Sequence, residues 1–168
     1  WLRDPQIGRA IASKTYDNHG VLVAEGIVDE EGNKQGPWEN FYQDGKLKSR
    51  GQYRDNYRTG DWRFYRLDGR VEQAGNYNRG RPHGTWVWYY EDGSLLREED
   101  FFNGKEDGSL VEYSTGGKLI TYGDFIDGEK EGGWYYKVGD HIEIGNYITG
   151  LRDGRWKYFY GDSTLKFE

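Results

Sequence analysis

Gly36-Pro37-Trp38-Glu39-Asn40-Phe41-Tyr42-Gln43-Asp44-Gly45-Lys46-Leu47 decides the fold, because it recurs along the chain. Its first glycine returns as Gly60, Gly84, Gly108 and Gly132 at a fixed interval of 24 residues, and as Gly154 after 22. Two residues past each stand Trp38, Trp62, Trp86, Leu110, Trp134 and Trp156. Nine past the first four stand Gly45, Gly69, Gly93 and Gly117, each followed two residues on by Leu47, Val71, Leu95 or Leu119. Gly51, Gly75, Glu99 and Gly123 come next, with Tyr53, Tyr77, Phe101 and Phe125 two beyond. The fifth unit is two residues shorter around Gly139-Asp140, and Gly145 and Tyr147 restore the pattern. A weaker unit lies upstream, in Tyr16-Asp17-Asn18-His19-Gly20 followed by Gly26 and Val28. Self-similarity at such a period is the mark of a repeat array.

Each unit reads as two strands and a turn. Asp44-Gly45, Asp68-Gly69 and Asp92-Gly93 are hairpin signals, since glycine accepts the positive φ of a tight turn. The strand after the turn alternates: Leu47 and Tyr53 share one face, while Lys46, Lys48, Arg50 and Gln52 point the other way. No 3.6-residue apolar stripe occurs, so helix is not expected. A single hairpin cannot bury its aromatic face without neighbours above and below. The predicted fold is therefore all-β, an elongated single-layer antiparallel sheet of stacked hairpins. About six units occupy 14–168, with 1–13 as an N-terminal cap or linker. At about 10 Å per two-stranded unit, the array would be on the order of 55–60 Å long.

These stretches resemble the MORN repeat, in the longer bacterial variant found in YwqK-type antitoxin-like proteins, over roughly residues 16–168. The resemblance implies the stacked-hairpin fold. It also implies a protein that binds and neutralises a protein partner, although MORN arrays occur as well in scaffolds, lipid-associated proteins and targeting regions of unrelated enzymes.

The chain's balance of residues narrows the partners. Of 168 residues, 35% are hydrophobic and 17% aromatic, so aromatic rings supply much of the apolar area. Seven Trp and fifteen Tyr also argue against disorder. The net charge of -6 is spread without a basic stripe, which points away from nucleic acid. No apolar run is long enough to span a membrane. The absence of cysteine excludes disulfides and thiolate metal sites but leaves the compartment open. The chain begins at Trp1, so a native N-terminus carrying any signal or anchor is expected to be missing.

Residue types two and five past the unit glycine barely change between units, as with Trp38 and Phe41 or Trp62 and Tyr65, and are read as scaffold. Positions four and six past it vary, and supply the candidate binding face: Tyr42, Phe64, Arg66, Trp88, Tyr90, Glu112, Tyr136, Tyr158 and Tyr160. Two environments are open for it, an exposed surface or a narrow core closed by curvature.

Catalysis is not expected. His19, His83 and His141 fall at different places in the repeat and read as solvated turn residues, so no metal site is implied. No nucleophile elbow or phosphate-cradling loop is present. Carboxylates such as Glu98, Glu99, Asp100 and Glu112 read as solvated charges at strand edges rather than a glycosidase pair. The expected function is a non-enzymatic protein-binding module of antitoxin or immunity type, acting by occlusion and needing no cofactor. The alternatives are a glycan or cell-wall binding array, suggested by Gly133-Trp134-Tyr135-Tyr136, and third a membrane-associated module. End strands leave oligomerisation open.

Overall fold

The computed structural model describes residues 3–4, 8–161 and 164–167. No helix occurs among them. The chain divides into two compact units, Trp1–His83 and Gly84–Glu168. In the first, β1 (Arg3–Asp4) pairs with β2 (Gly8–Arg9). An open antiparallel meander then runs through β3 (Ile11–Tyr16), β4 (Leu22–Val28), β5 (Lys34–Phe41), β6 (Leu47–Arg54), β7 (Tyr57–Tyr65) and β8 (Val71–Asn78), each strand pairing with the next. The second holds β9 (Arg81–Tyr89, which crosses the division), β10 (Leu95–Phe102), β11 (Lys105–Tyr113) and β12 (Leu119–Ile126). It continues with β13 (Glu129–Val138), β14 (His141–Ile148), β15 (Leu151–Tyr160) and β16 (Thr164–Phe167), paired in the same manner. Of the stretch 1–13 read as a cap or linker, residues 1–2 and 5–7 lie outside the described residues, and Ile11 to Ser13 already run in β3.

Two kinds of turn alternate. The Asp-Gly turns close by the Gly45 N–H donating to the Tyr42 carbonyl (2.9 Å) and the Tyr42 N–H to that of Lys46 (2.8 Å). The Asp44 carboxylate accepts the Lys46 N–H, and the same arrangement returns at Asp68 and Asp92. At the opposite end of the strands, two-residue turns sit at Asp55-Asn56, Arg79-Gly80, Asn103-Gly104, Asp127-Gly128 and Thr149-Gly150. Both residues of each have positive φ, the type I′ geometry whose twist suits a hairpin. Successive turns are tied: the Gly80 N–H donates to the Arg58 carbonyl (2.8 Å) and the Gly128 N–H to that of Glu106 (2.8 Å).

The core is a strip on one face of the sheet. Along β6, Leu47, Ser49, Gly51 and Tyr53 are shielded, while Lys48, Arg50, Gln52 and Arg54 are exposed, which is the alternation read from sequence. The shielded face carries Trp38, Trp62, Trp86, Leu110, Trp134 and Trp156, all buried. Four of the five indoles lie against a residue without a side chain. Trp62 opposes Gly51 across β6 and β7, and a Cβ on Gly51 would lie 2.2 Å from the indole. Gly26, Gly123 and Gly145 face Trp38, Trp134 and Trp156 as closely, at 2.3, 2.1 and 2.3 Å. The glycine four residues before a turn of the second type, as at Gly51, Gly123 and Gly145, is therefore a packing requirement as much as the tryptophan is.

Candidate interaction surfaces

On the tryptophan face the rings interlock edge to face. In the first unit Trp38, Tyr53, Trp62 and Tyr77 follow one another at 5.9, 5.2 and 6.1 Å between centroids. In the second, Phe125, Trp134, Tyr147 and Trp156 do so at 5.1, 5.7 and 5.3 Å. Such pairs contribute about 0.5–1.5 kcal/mol beyond the area they bury. A cation two residues before the unit glycine covers the ladder. Lys34 lies 4.4 Å from Trp38, Arg58 4.7 Å from Trp62, Lys130 4.7 Å from Trp134 and Arg152 4.0 Å from Trp156. Sequence reasoning missed these four, although their fixed offset in the repeat was the available signal.

This geometry places the residues read as a binding face. Positions two and four past the unit glycine lie on the same side of the strand, so the fourth-position residues adjoin the tryptophans. Phe64 stacks on Trp62 at 6.0 Å, Trp88 leans on Trp86 at 6.1 Å, and Tyr136 is stacked between Trp134 and Trp156 at 5.7 and 6.1 Å. The Tyr136 hydroxyl accepts from Lys130 (2.7 Å), and burial pushes its phenol well above the usual range. Tyr158 is half-buried, with its ring 6.2 Å from that of His141. Of the sixth-position residues, Tyr42, Arg66 and Tyr90 open the Asp-Gly turns. The Tyr42 and Tyr90 hydroxyls donate to the carbonyls of Tyr65 and Tyr113 one unit on, at 2.6 and 2.7 Å. Arg66 pairs with Glu72 (3.5 Å), and Tyr160 packs 5.1 Å from His141. Tyr42, Tyr90, Tyr136, Tyr158 and Tyr160 thus reach the neighbouring hairpin, while Phe64, Arg66 and Trp88 also pack within their own.

The fourth hairpin departs from the rest in a concerted way. Leu110 replaces tryptophan, and Glu99 replaces the glycine opposite it. Glu106 stands where four of the other units place the cation, and Glu112 where four of them place a ring. With the indole gone there is room for the Glu99 side chain, which is only 3% exposed. Arg97 bridges Glu99 and Glu112. Burial nevertheless raises the Glu99 carboxyl above its usual range, against the pull of Arg97, and its second oxygen has no hydrogen-bond partner.

The histidines do not share one environment. His19 lies in the first Asp-containing turn, as expected. His83 and His141 differ from the reading as turn residues: both lie in strands, β9 and β14, because the strands extend to the two-residue turns. His141 packs against Tyr160, with Nε2 3.0 Å from Glu143. Among the described residues no group of three His, Cys, Asp or Glu is arranged to hold a metal. Glu99 and Glu112 differ from the reading as solvated edge charges, since both point into the tryptophan face.

The opposite, outer face separates the two units by composition. Residues paired directly across strands share a face, so register gives its rows. In the first unit one row runs Lys14, Glu25, Glu39, Arg50, Arg63, with charge on every strand from β3 to β7. The corresponding row of the second unit runs Val111, Tyr122, Tyr135, Ile144 from β11 to β14, and ends at Lys157. Nearer the two-residue turns, Ile126 is 62% exposed, and Ile148 pairs with Leu151, which is 73% exposed. Between these apolar rows lie Ser109, Asp124 and Glu131, then Asn146, Asp153 and, two residues on along β15, Arg155.

Comparison with known families matches residues 34–55 and 82–103 to the MORN repeat variant. The two matches span β5 to β6 and β9 to β10, so each covers an Asp-Gly hairpin, and they begin two repeats apart. No curated protein matches the chain. MORN repeats are generally non-catalytic and serve as protein- or membrane-interacting modules.

Proposed function

We propose that this chain is a non-enzymatic protein-binding module that engages its partner on the outer face of the second unit and acts, as an antitoxin or immunity protein does, by occluding that partner. The observation that carries this is the exposure of Tyr122, Ile126, Ile144, Ile148 and Leu151 on the face where the first unit, built from the same repeat, carries the charged row Lys14, Glu25, Glu39, Arg50 and Arg63. Scattered exposed apolar residues are ordinary, whereas a contiguous set marks an interaction site. Two features favour a protein over a glycan. Trp62 and Trp134, the rings a sugar would stack on, are buried beneath Arg58 and Lys130, and the exposed side chains are mainly aliphatic. The net charge of -6 disfavours an anionic lipid surface.

The test compares the chain with an Ile126→Ser/Ile148→Ser variant as bait in a lysate of the source organism. The expected result is a protein retained by the wild type and lost by the variant, with both baits unfolding at the same temperature. Binding in a glycan array or in liposome flotation, with no protein retained, would replace this reading.

A further inference from the structure

We infer that the fourth hairpin carries a site for an organic cation, an alkylammonium or guanidinium group brought by another molecule, between Glu99, Glu106 and Glu112 on the tryptophan face of the second unit. The site is separate from the outer face and does not depend on the protein-binding reading. Equivalent positions elsewhere in the array give the reason. In four other repeats a cation two residues before the repeat glycine lies 4.0 to 4.7 Å from an indole. In the fourth hairpin that position holds Glu106, and Leu110 replaces the indole. Register places three carboxylates on the same face: Glu99 pairs with Leu110, Glu112 with Arg97, and Glu106 with Phe101. Acid thus surrounds the place that the chain's own cation takes elsewhere.

The charges there do not balance. Arg97 bridges Glu99 and Glu112, while among the described residues the Glu106 carboxylate has no ion pair. The inner-face positions of the flanking strands, Trp86 and Trp88 on β9 and Thr121, Gly123 and Phe125 on β12, bring no charge. Lys130 of the next hairpin donates to Tyr136 and lies among the rings of Trp134, Tyr136 and Tyr147. An independent observation points to a ligand. Glu99 is only 3% exposed, and one of its carboxylate oxygens has no partner. A buried, half-satisfied carboxylate is costly, and a positive donor placed against it removes that cost.

An organic cation suits the site better than a metal ion. Among the described residues no group of three His, Cys, Asp or Glu is arranged to hold a metal. Leu110, Phe101 and Phe125 also give the site apolar walls, which cover an alkyl stem while carboxylates take the charged head.

The experiment titrates the isotope-labelled full chain with butylammonium, butylguanidinium, 1-butanol and a blocked Gly-Lys-Gly tripeptide, read by amide chemical shifts. The cations should saturate shifts at Glu99, Glu106, Leu110 and Glu112, and bind at least about tenfold tighter than butanol. Glu106→Gln should weaken them about tenfold. Glu106→Lys, which supplies the cation found in other repeats, should abolish binding with the shifts of β14 and β15 unchanged. Ile126→Ser/Ile148→Ser, on the outer face, should leave every titration unaltered, so the two sites fail separately. Tighter binding of the tripeptide than of butylammonium supports the inference with a partner's lysine as the source, and the reverse supports it with a free amine. Butanol binding as tightly as the cations, shifts confined to other residues, no shift at all, or full binding by Glu106→Lys would overturn it. Displacement of butylammonium by calcium at these residues would overturn it in favour of a metal.

Discussion

If Glu99 and Leu110 form a matched replacement for the glycine and tryptophan of the other units, restoring both should succeed where restoring either fails. Leu110→Trp alone directs an indole onto a residue that now has a side chain. At four equivalent positions even a Cβ would lie 2.1 to 2.3 Å from the indole, so Glu99 leaves no space for the ring. Overpacking of this kind costs about 1–3 kcal/mol. Glu99→Gly alone empties the volume beside Leu110 and takes one of its two carboxylate partners from Arg97, at a cost of about 1–3 kcal/mol. The double variant rebuilds the indole-on-glycine contact. Relative to leucine, the indole buries on the order of 50–100 Å² more apolar surface, about 1–2.5 kcal/mol at ~25 cal/mol/Å², and regains edge-to-face contact with Phe101 or Phe125. The pair should therefore couple favourably by about 3 kcal/mol or more. The assay is a double-mutant cycle read by native-state amide exchange in β10 and β11, which reports the local hairpin rather than the whole chain. Additivity within about 0.5 kcal/mol would refute the matched-replacement argument.

Other outcomes follow from the same contacts. Trp62, fully buried, should cost about 3–5 kcal/mol when changed to Ala in urea unfolding. Gly51→Ala should cost about 1–3 kcal/mol in the wild type and under about 0.5 kcal/mol once Trp62 is Ala, because the clash is with that ring. Within the second unit, amides of the fourth hairpin (β11–β12) should exchange faster than those of the third (β9–β10), since Leu110 replaces a ring there; the reverse order would contradict this. Two carboxyls should respond to pH with opposite sign. Because burial raises the folded value of Glu99, the stability it contributes is fully present at low pH and lost as pH rises through that value. Glu99→Gln should therefore gain on the wild type in thermal unfolding as pH rises above the usual carboxylate range. Glu143 is held low by hydrogen bonds from His141 and then Arg152, so its contribution is present above the usual carboxylate range and lost on acidification. Glu143→Gln should destabilise at neutral pH and approach the wild type near about pH 3.

The repeat could be read from sequence because its determinants are local. The Asp-Gly turns, the glycine-tryptophan offset and the alternation along β6 each lie within a dozen residues, and each is realised in the hairpins. The environment of the candidate binding residues needed a different kind of information. Grouping first-strand positions by how little they vary joined Trp62 with Tyr65, yet they lie three positions apart and face opposite ways. Trp62 is buried in the ladder, while the Tyr65 ring lies 5.9 Å from the Arg50 guanidinium of the outer row. Uniformity across units marks any contact the repeat must make, on either side of a sheet. Parity decides the side, and by parity Phe64, Tyr136 and Trp88 belong with the tryptophans.

The outer rows were hidden for another reason. Val111, Tyr122, Tyr135 and Ile144 come from four strands, and the register between those strands shifts at bulges, as between Tyr122 and Asp124 on β12. A slip of one residue would send every side chain to the other face, so spacing along the chain cannot assemble such a row. The repeat constrains the tryptophan face because each hairpin must stack on the next, and it leaves the outer face free to differ between units. Charge on that face in the first unit and exposed aliphatic rows in the second are therefore not consequences of folding. Burial would have favoured Ile126 and Leu151 on the inner side, and solubility would have favoured charge in their place. Under the proposed reading, contact with a partner accounts for their position.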